Sequence, residues 1–234
     1  MSEEILINIT PMETRVALVE NGVLQEVHIE RTQRRGIVGN IYKGKVVRVL
    51  PGMEAAFVDI GLERAAFIHA SDVVTSQQPA SEAPETPKTV PDISTLLREG
   101  QSLVVQVTKD PIGTKGARLT TQLSIPSRYL VFMPGVSHVG ISQRIEDETE
   151  RSRLKSLVEE GAAAEPDISG GYIIRTAAEA ASEDDLIGDM TYLHRLNQAI
   201  EERITRSQAP SVVYQDLPLF IRTIRDLIRP QTEK

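Results

Sequence analysis

Three stretches near the start of the chain, residues 5–10, 14–21 and 23–30, alternate apolar and polar positions with a period of two and are rich in Val and Ile. Alternation of that kind gives a strand one wet face and one buried face, so three antiparallel strands are predicted, with Glu20-Asn21-Gly22 as one of the turns. After RTQRRGIVGN the signal returns in five shorter runs, residues 41–50, 55–60, 65–69, 102–109 and 118–124, punctuated by Gly. Five short strands with Gly turns are what a small OB-type barrel requires. The barrel is interrupted by residues 75–91, TSQQPASEAPETPKTVP, whose four prolines and scarcity of large apolar residues predict a flexible surface insertion. Asp92 then caps a short helix that packs through Ile93, Leu96 and Leu97 and stops at Gly100.

Beyond the barrel the period lengthens. Strands are predicted at residues 129–133 and 172–175, flanking an amphipathic helix over about residues 146–160. Ser182 with Asp185 three positions on is a helix-start signal, and Leu186, Met190, Leu193, Ile200 and Ile204 then share one face of a long helix. Pro210 breaks it, and a strand over residues 211–215 and a helix over residues 217–228 follow. The whole reads as an α+β protein.

One run, AAFVDIGLERAAFIHASD from Ala55, resists a simple core reading. Alternation places Phe57 on a face with Ala55 and Asp59, opposite Ala56, Val58 and Ile60, and it places Phe67 with Ala65 and His69, opposite Ala66 and Ile68. Both rings then point to solvent on neighbouring strands. With four Phe, five Tyr and no Trp in 234 residues, two rings on a polar face suggest a platform on which nucleic-acid bases stack. The alternative is that twist or a bulge turns both rings inward.

Composition narrows the rest. The net charge of -7 argues against a generally basic nucleic-acid binder, but the charge is segregated. Arg31, Arg34, Arg35, Lys43, Lys45 and Arg48 stand in a stretch without an acid, and Lys109, Lys115, Arg118, Arg128 and Arg144 share theirs with Asp110 alone. The acids gather in residues 146–167 and 179–202, which read as solvated helix faces. A confined basic surface on an acidic protein can still hold a polyanion locally. No apolar run approaches the ~20 residues needed to span a bilayer, so no membrane partner is expected and a cytoplasmic location is. Zero cysteines exclude disulfides and thiolate zinc sites, and four scattered His give no metal-ligand spacing.

NIYKGKVVRVLPGMEAAFVDIGLERAAFIHASD from Asn40, GTKGARLTT from Gly113, PSRYLVFMPG from Pro126, ISQRIE from Ile141 and IIRTAAE from Ile173 together resemble the bacterial ribonuclease E and ribonuclease G family, on its ribonuclease G side. The resemblance implies an RNase H-like subdomain, split and incomplete, over residues 1–35 and within residues 181–234, the latter beginning with a connecting helix. An S-one type OB barrel would occupy residues 36–124, with the insertion at 75–91, and an α/β sensor of the RNA 5′ end residues 125–180.

It further implies that Phe57, Phe67 and Lys115 contact RNA, with the Lys115 ammonium held out on the turn Gly113-Thr114-Lys115-Gly116. A 5′-monophosphate pocket maps onto Arg175 and Thr176, completed by Val131 and the backbone near Ser127, where longer members carry glycine. A guanidinium fork can grip two phosphate oxygens while a hydroxyl donates to a third. The implied partner is single-stranded RNA with a 5′ monophosphate. The family's catalytic aspartates, their magnesium and a subunit-linking zinc are expected beyond Lys234, so neither cofactor nor catalytic residue is expected within these residues. Self-association, or docking on a full-length family member through residues 217–228, is a further expectation.

Overall fold

The computed structural model describes residues 2–73, 91–164, 169–228 and 232; the insertion expected at 75–91 falls, except for Pro91, outside them. Chain contacts divide the protein into two units, residues 1–37 with 216–234, and residues 38–215.

In the first unit, β1 (Glu3–Ile9), β2 (Glu13–Glu20) and β3 (Val23–Arg31) form an antiparallel sheet in that order. Glu20 pairs with Val23, so Asn21 and Gly22 make a two-residue hairpin turn. Both take positive φ, 50° and 76°, the conformation that an Asn-Gly pair adopts at little cost. The helix Leu219–Leu227 packs on β2, where Val16 is fully buried. Its start is fixed by Glu30, whose carboxylate accepts from the Leu219 amide and from Arg222, each at 3.1 Å.

The second unit contains the expected barrel. β4 (Ile41–Leu50), β5 (Ala55–Asp59), β6 (Ala66–His69), β7 (Ser102–Lys109) and β8 (Arg118–Thr120) are hydrogen-bonded in the order β4-β5-β6-β8-β7, and β7 returns to β4. Val46, Val58, Ile60, Ile68, Val107 and Leu119 fill it. The short helix α1 (Ile93–Leu96) is capped as expected, the Asp92 carboxylate accepting from the Ser94 amide at 2.7 Å. β8 is shorter than the alternation predicts because the next residues bond elsewhere. The Thr121 amide donates to the Asp72 carbonyl, and the Ser124 amide and hydroxyl donate to the Gln106 side chain.

β9 (Ile125–Pro126), β10 (Leu130–Pro134), β11 (Val139–Ile141) and β12 (Gly170–Ile174) form a second sheet in the order β11-β12-β10-β9. It packs on α2 (Glu148–Ala164) and α3 (Glu183–Arg206), with Phe132, Tyr172, Leu154, Val158, Leu186 and Leu193 in the core. α2 begins two residues later than predicted because the Asp147 carboxylate accepts from the Thr149 and Glu150 amides. α3 starts with the Ser182–Asp185 capping box that its sequence announces.

After α3 the chain returns to the barrel: β13 (Ser211–Tyr214) lies antiparallel along β4. The strand expected ahead of the last helix thus belongs to the barrel sheet, and the contact boundary falls at Asp216. Among the described residues no helix is long and apolar enough to cross a membrane.

Candidate nucleic-acid interface

β5 runs without irregularity from Ala55 to Asp59, so its alternation is kept: Ala56 and Val58 are buried while Phe57 is 38% exposed. Phe67 on β6 is half-buried and is the direct antiparallel partner of Phe57. Side chains of direct partners stand about 5 Å apart at Cβ on the same face, so the two phenylalanines leave the barrel exterior side by side. The inward alternative does not occur. Phe67 is held in line by its amide, which donates to the Ala117 carbonyl at 2.8 Å.

Lys115 is exposed on a tight turn closed by mutual backbone hydrogen bonds between Ile112 and Lys115, 3.1 and 2.9 Å. The Arg64 guanidinium donates to the Gly113 carbonyl from outside the turn. Gly116 lets this turn approach β6: a Cβ there would lie 2.0 Å from the Ala65 carbonyl oxygen. Arg118, three residues on, is the partner of Phe67 in the parallel β6–β8 pair, and its Nε and Nη2 both lie 2.9 Å from the Asp72 carboxylate.

The second set of expected residues gathers at one edge of the β9–β12 sheet. Ser127, Arg128 and Tyr129 connect β9 to β10. Arg175, immediately after β12, donates through Nη1 to the Ser127 carbonyl at 2.5 Å and the Arg128 carbonyl at 3.3 Å, and its amide donates to the Tyr129 carbonyl at 2.8 Å. Thr176 shares a 3.0 Å hydroxyl–hydroxyl hydrogen bond with Ser142. Val131 pairs with Ile173, which is 37% exposed, on the sheet face opposite the Phe132 core.

Ser127 itself is buried, its amide spent on the Leu130 carbonyl and its hydroxyl on that carbonyl and Asp189. In this conformation Ser127 shapes the turn, and its carbonyl anchors Arg175. The structure therefore brings Arg175, Thr176 and the Ser127 backbone to one edge, with Val131 on the adjoining sheet face.

Sequence reasoning missed Asp189. One oxygen of this α3 carboxylate accepts from the Ser127 hydroxyl at 2.5 Å and from the Tyr129 and Leu130 amides at 2.8 and 3.0 Å. On α2, Glu150 is held at a pKa of about 2, chiefly by hydrogen bonding from Arg153, with the Ala180 amide and the Arg153 charge adding to it. Arg153 also donates to the Ala181 carbonyl, so this pair ties α2 to the segment leading into α3. Ala180 sits there at φ 61°, a left-handed conformation rarely adopted by non-glycine residues.

These two surfaces coincide with two family models. The S1 RNA binding domain matches residues 36–120, and the Ribonuclease E/G family matches residues 124–234. Ribonuclease G of Salmonella typhimurium is 56% identical over 234 residues, which is 100% of this chain and 47% of the relative. The chain belongs to the ribonuclease E/G family.

Within that family, Ribonuclease G of Haemophilus influenzae is 56% identical over 231 residues, covering 99% of this chain and 46% of the relative. Ribonuclease E of Escherichia coli is 37% identical over 229 residues, covering 97% and 21%. The chain spans about half the length of the ribonuclease G relatives it matches. The barrel of β4–β8 lies within the S1 match, so the S-one type barrel implied by the resemblance and the α+β class read from the pattern of elements are both present.

Proposed function

We propose that these residues are the RNA-binding and 5′-monophosphate-sensing portion of a ribonuclease G type endoribonuclease, acting in cytoplasmic RNA processing and decay. The observation that carries the reading is the cross-strand pair of Phe57 and Phe67 on the barrel exterior, inside a region matching the S1 RNA binding domain. Two bases of single-stranded RNA stack on the rings while Lys115 meets a phosphate. The 5′ monophosphate is taken at the edge formed by Arg175 and Thr176, next to the Val131 face, with the turn at Ser127 as its wall. Residues 1–35 and the part of 181–234 after the connecting helix are assigned to an RNase H-like subdomain, 36–124 to the barrel and 125–180 to the sensor. Hydrolysis is assigned to the part of the relatives' length that this chain does not span. Among the described residues no group of three or more His, Cys, Asp or Glu side chains is placed to hold a metal ion.

The test is binding of a short fluorescent single-stranded RNA carrying either a 5′ monophosphate or a 5′ hydroxyl. A stacked base contributes ~1–3 kcal/mol, so joint Phe57→Ala and Phe67→Ala substitution should weaken binding at least about thirtyfold for both RNAs, with melting unchanged. Arg175→Ala should abolish the preference for the monophosphate and spare general binding. Unaltered binding by the double variant would defeat the platform; equal loss for both ends would make Arg175 structural.

A docking role, by self-association or on a full-length family member, has one observation in its favour. Leu6, Ile9, Val23, Leu24, Val27 and Ile29 of the first unit are each more than half exposed, and Ile224 and Ile228 are 44% and 38% exposed. Sedimentation of the chain across a concentration series decides it: a strictly monomeric chain that also fails to bind a full-length relative rules it out.

A further inference from the structure

We infer that Arg48 and Arg118 are phosphate contacts at the two ends of the ring pair, so that RNA crosses the barrel strands instead of running along them. The inference rests on the stacking platform proposed above.

Arg48 is the Cα partner of Phe57, Phe57 of Phe67, and Phe67 of Arg118, one residue on each of four consecutive strands, β4, β5, β6 and β8. Neighbouring strands lie about 4.8 Å apart, so the row extends ~14 Å over the barrel surface, with rings in the middle and a guanidinium at either end.

Arg48 reaches this row through a break in alternation. Val46 is buried and pairs with Val58, so an unbroken strand would turn Arg48 inward with it. The register shifts between Val46 and Arg48, and the extra residue, Val47, is 55% exposed. Such a bulge re-aims the side chain that follows it, here bringing an exposed cation beside Phe57. Arg118 is placed by other means: Asp72 takes two of its nitrogens, which fixes the guanidinium plane beside Phe67, and the side chain remains 38% exposed. A rigid, partly exposed guanidinium is suited to planar contact with a phosphate.

A strand of RNA laid along this row has bases over the phenyl rings and its backbone within reach of both arginines. The ligand class is single-stranded polynucleotide, recognised through phosphate charge at the ends and base faces between, without reading sequence.

The experiment is fluorescence anisotropy with a 5′-hydroxyl oligouridylate, which leaves the end sensor unengaged, between about 50 and 200 mM salt. For single strands each phosphate contact contributes about 0.7 to the slope of log K against log salt. Arg48→Gln and Arg118→Gln should each flatten the slope by about that amount, and together by about twice it. Joint Phe57→Ala and Phe67→Ala substitution should weaken binding with the slope unchanged.

Arg118→Lys keeps the charge and should keep most of the slope, which separates charge from folding should Arg118→Gln prove unstable by circular dichroism. Wild-type slopes in the arginine variants, alongside weak binding by the phenylalanine variant, would overturn the inference and leave the platform standing. Wild-type binding by every variant would overturn both.

Discussion

Replacing Asp189 by Ala removes one acceptor oxygen shared by three donors. The Ser127 hydroxyl keeps a second acceptor, the Leu130 carbonyl at 2.9 Å, and is not orphaned. The amides of Tyr129 and Leu130 lose theirs. Leu130 is fully buried and Tyr129 half-buried, so water restores the second amide more readily than the first. An unsatisfied buried donor costs about 1–3 kcal/mol, which puts the pair at roughly 2–4 kcal/mol once partial rehydration at Tyr129 is allowed for.

A unit of this size shifts its melting temperature by about 2–4 °C per kcal/mol, so a drop of roughly 4–16 °C is expected by differential scanning fluorimetry. Asp189→Asn retains a neutral acceptor in the same place. Because charge-assisted hydrogen bonds are about twice as strong as neutral ones, its loss should be near half that of the Ala variant. The functional consequence travels through Arg175, whose guanidinium rests on the carbonyls of the same turn. Well below the new melting temperature, Asp189→Ala should still bind RNA but discriminate poorly between 5′ monophosphate and 5′ hydroxyl. If Asp189→Ala melts within about 2 °C of the parent, the carboxylate does not organise the turn and the reasoning is wrong.

Two further outcomes are expected. Glu150 is lowered to about 2 from 4.5, so the Glu150–Arg153 contribution is complete above pH 4.5 and fades as pH falls from there towards 2; the gap in melting temperature between wild type and Glu150→Gln should be widest near neutrality and close over that window, and a pH-independent gap would contradict the linkage. Gly116→Ala forces a Cβ to within 2.0 Å of a backbone oxygen that cannot swing aside, so the barrel should lose about 1–3 kcal/mol or more, read by urea denaturation, and an unchanged midpoint would show that the Lys115 turn is not pressed against β6.

What could be read from the chain follows the regularity of each element. Phe57 was legible because β5 is uninterrupted and the ring stands between two buried residues of the opposite face, Ala56 and Val58. Arg48 was visible only as one member of a basic stretch, since the bulge after Val46 breaks the period on which such reading depends. Lys43, in the same stretch, faces no polyanion: its ammonium donates to the carbonyls of Ile204 and Ser207 at 2.8 Å, satisfying the C-terminal end of α3. Asp189 is surrounded along the helix by solvated acids and looks like one of them. What distinguishes it is a turn some sixty residues earlier in the chain, and local pattern carries no information about such a partner. β13 was legible as a strand, but its pairing with β4 across more than 160 residues was not.

The first unit is built from two separated segments, residues 1–37 and 216–234, with 178 residues between them. During synthesis, β1–β3 leave the ribosome well before the helix that packs on them, which follows only after the intervening residues 38–215. At about 5–20 residues per second that separates the two by roughly 10–35 s. Throughout this interval the sheet carries open edges and an uncovered apolar face, while the intervening unit has time to fold by itself. The order of synthesis therefore gives the barrel and its neighbouring sheet a head start over the unit whose strands were made before them.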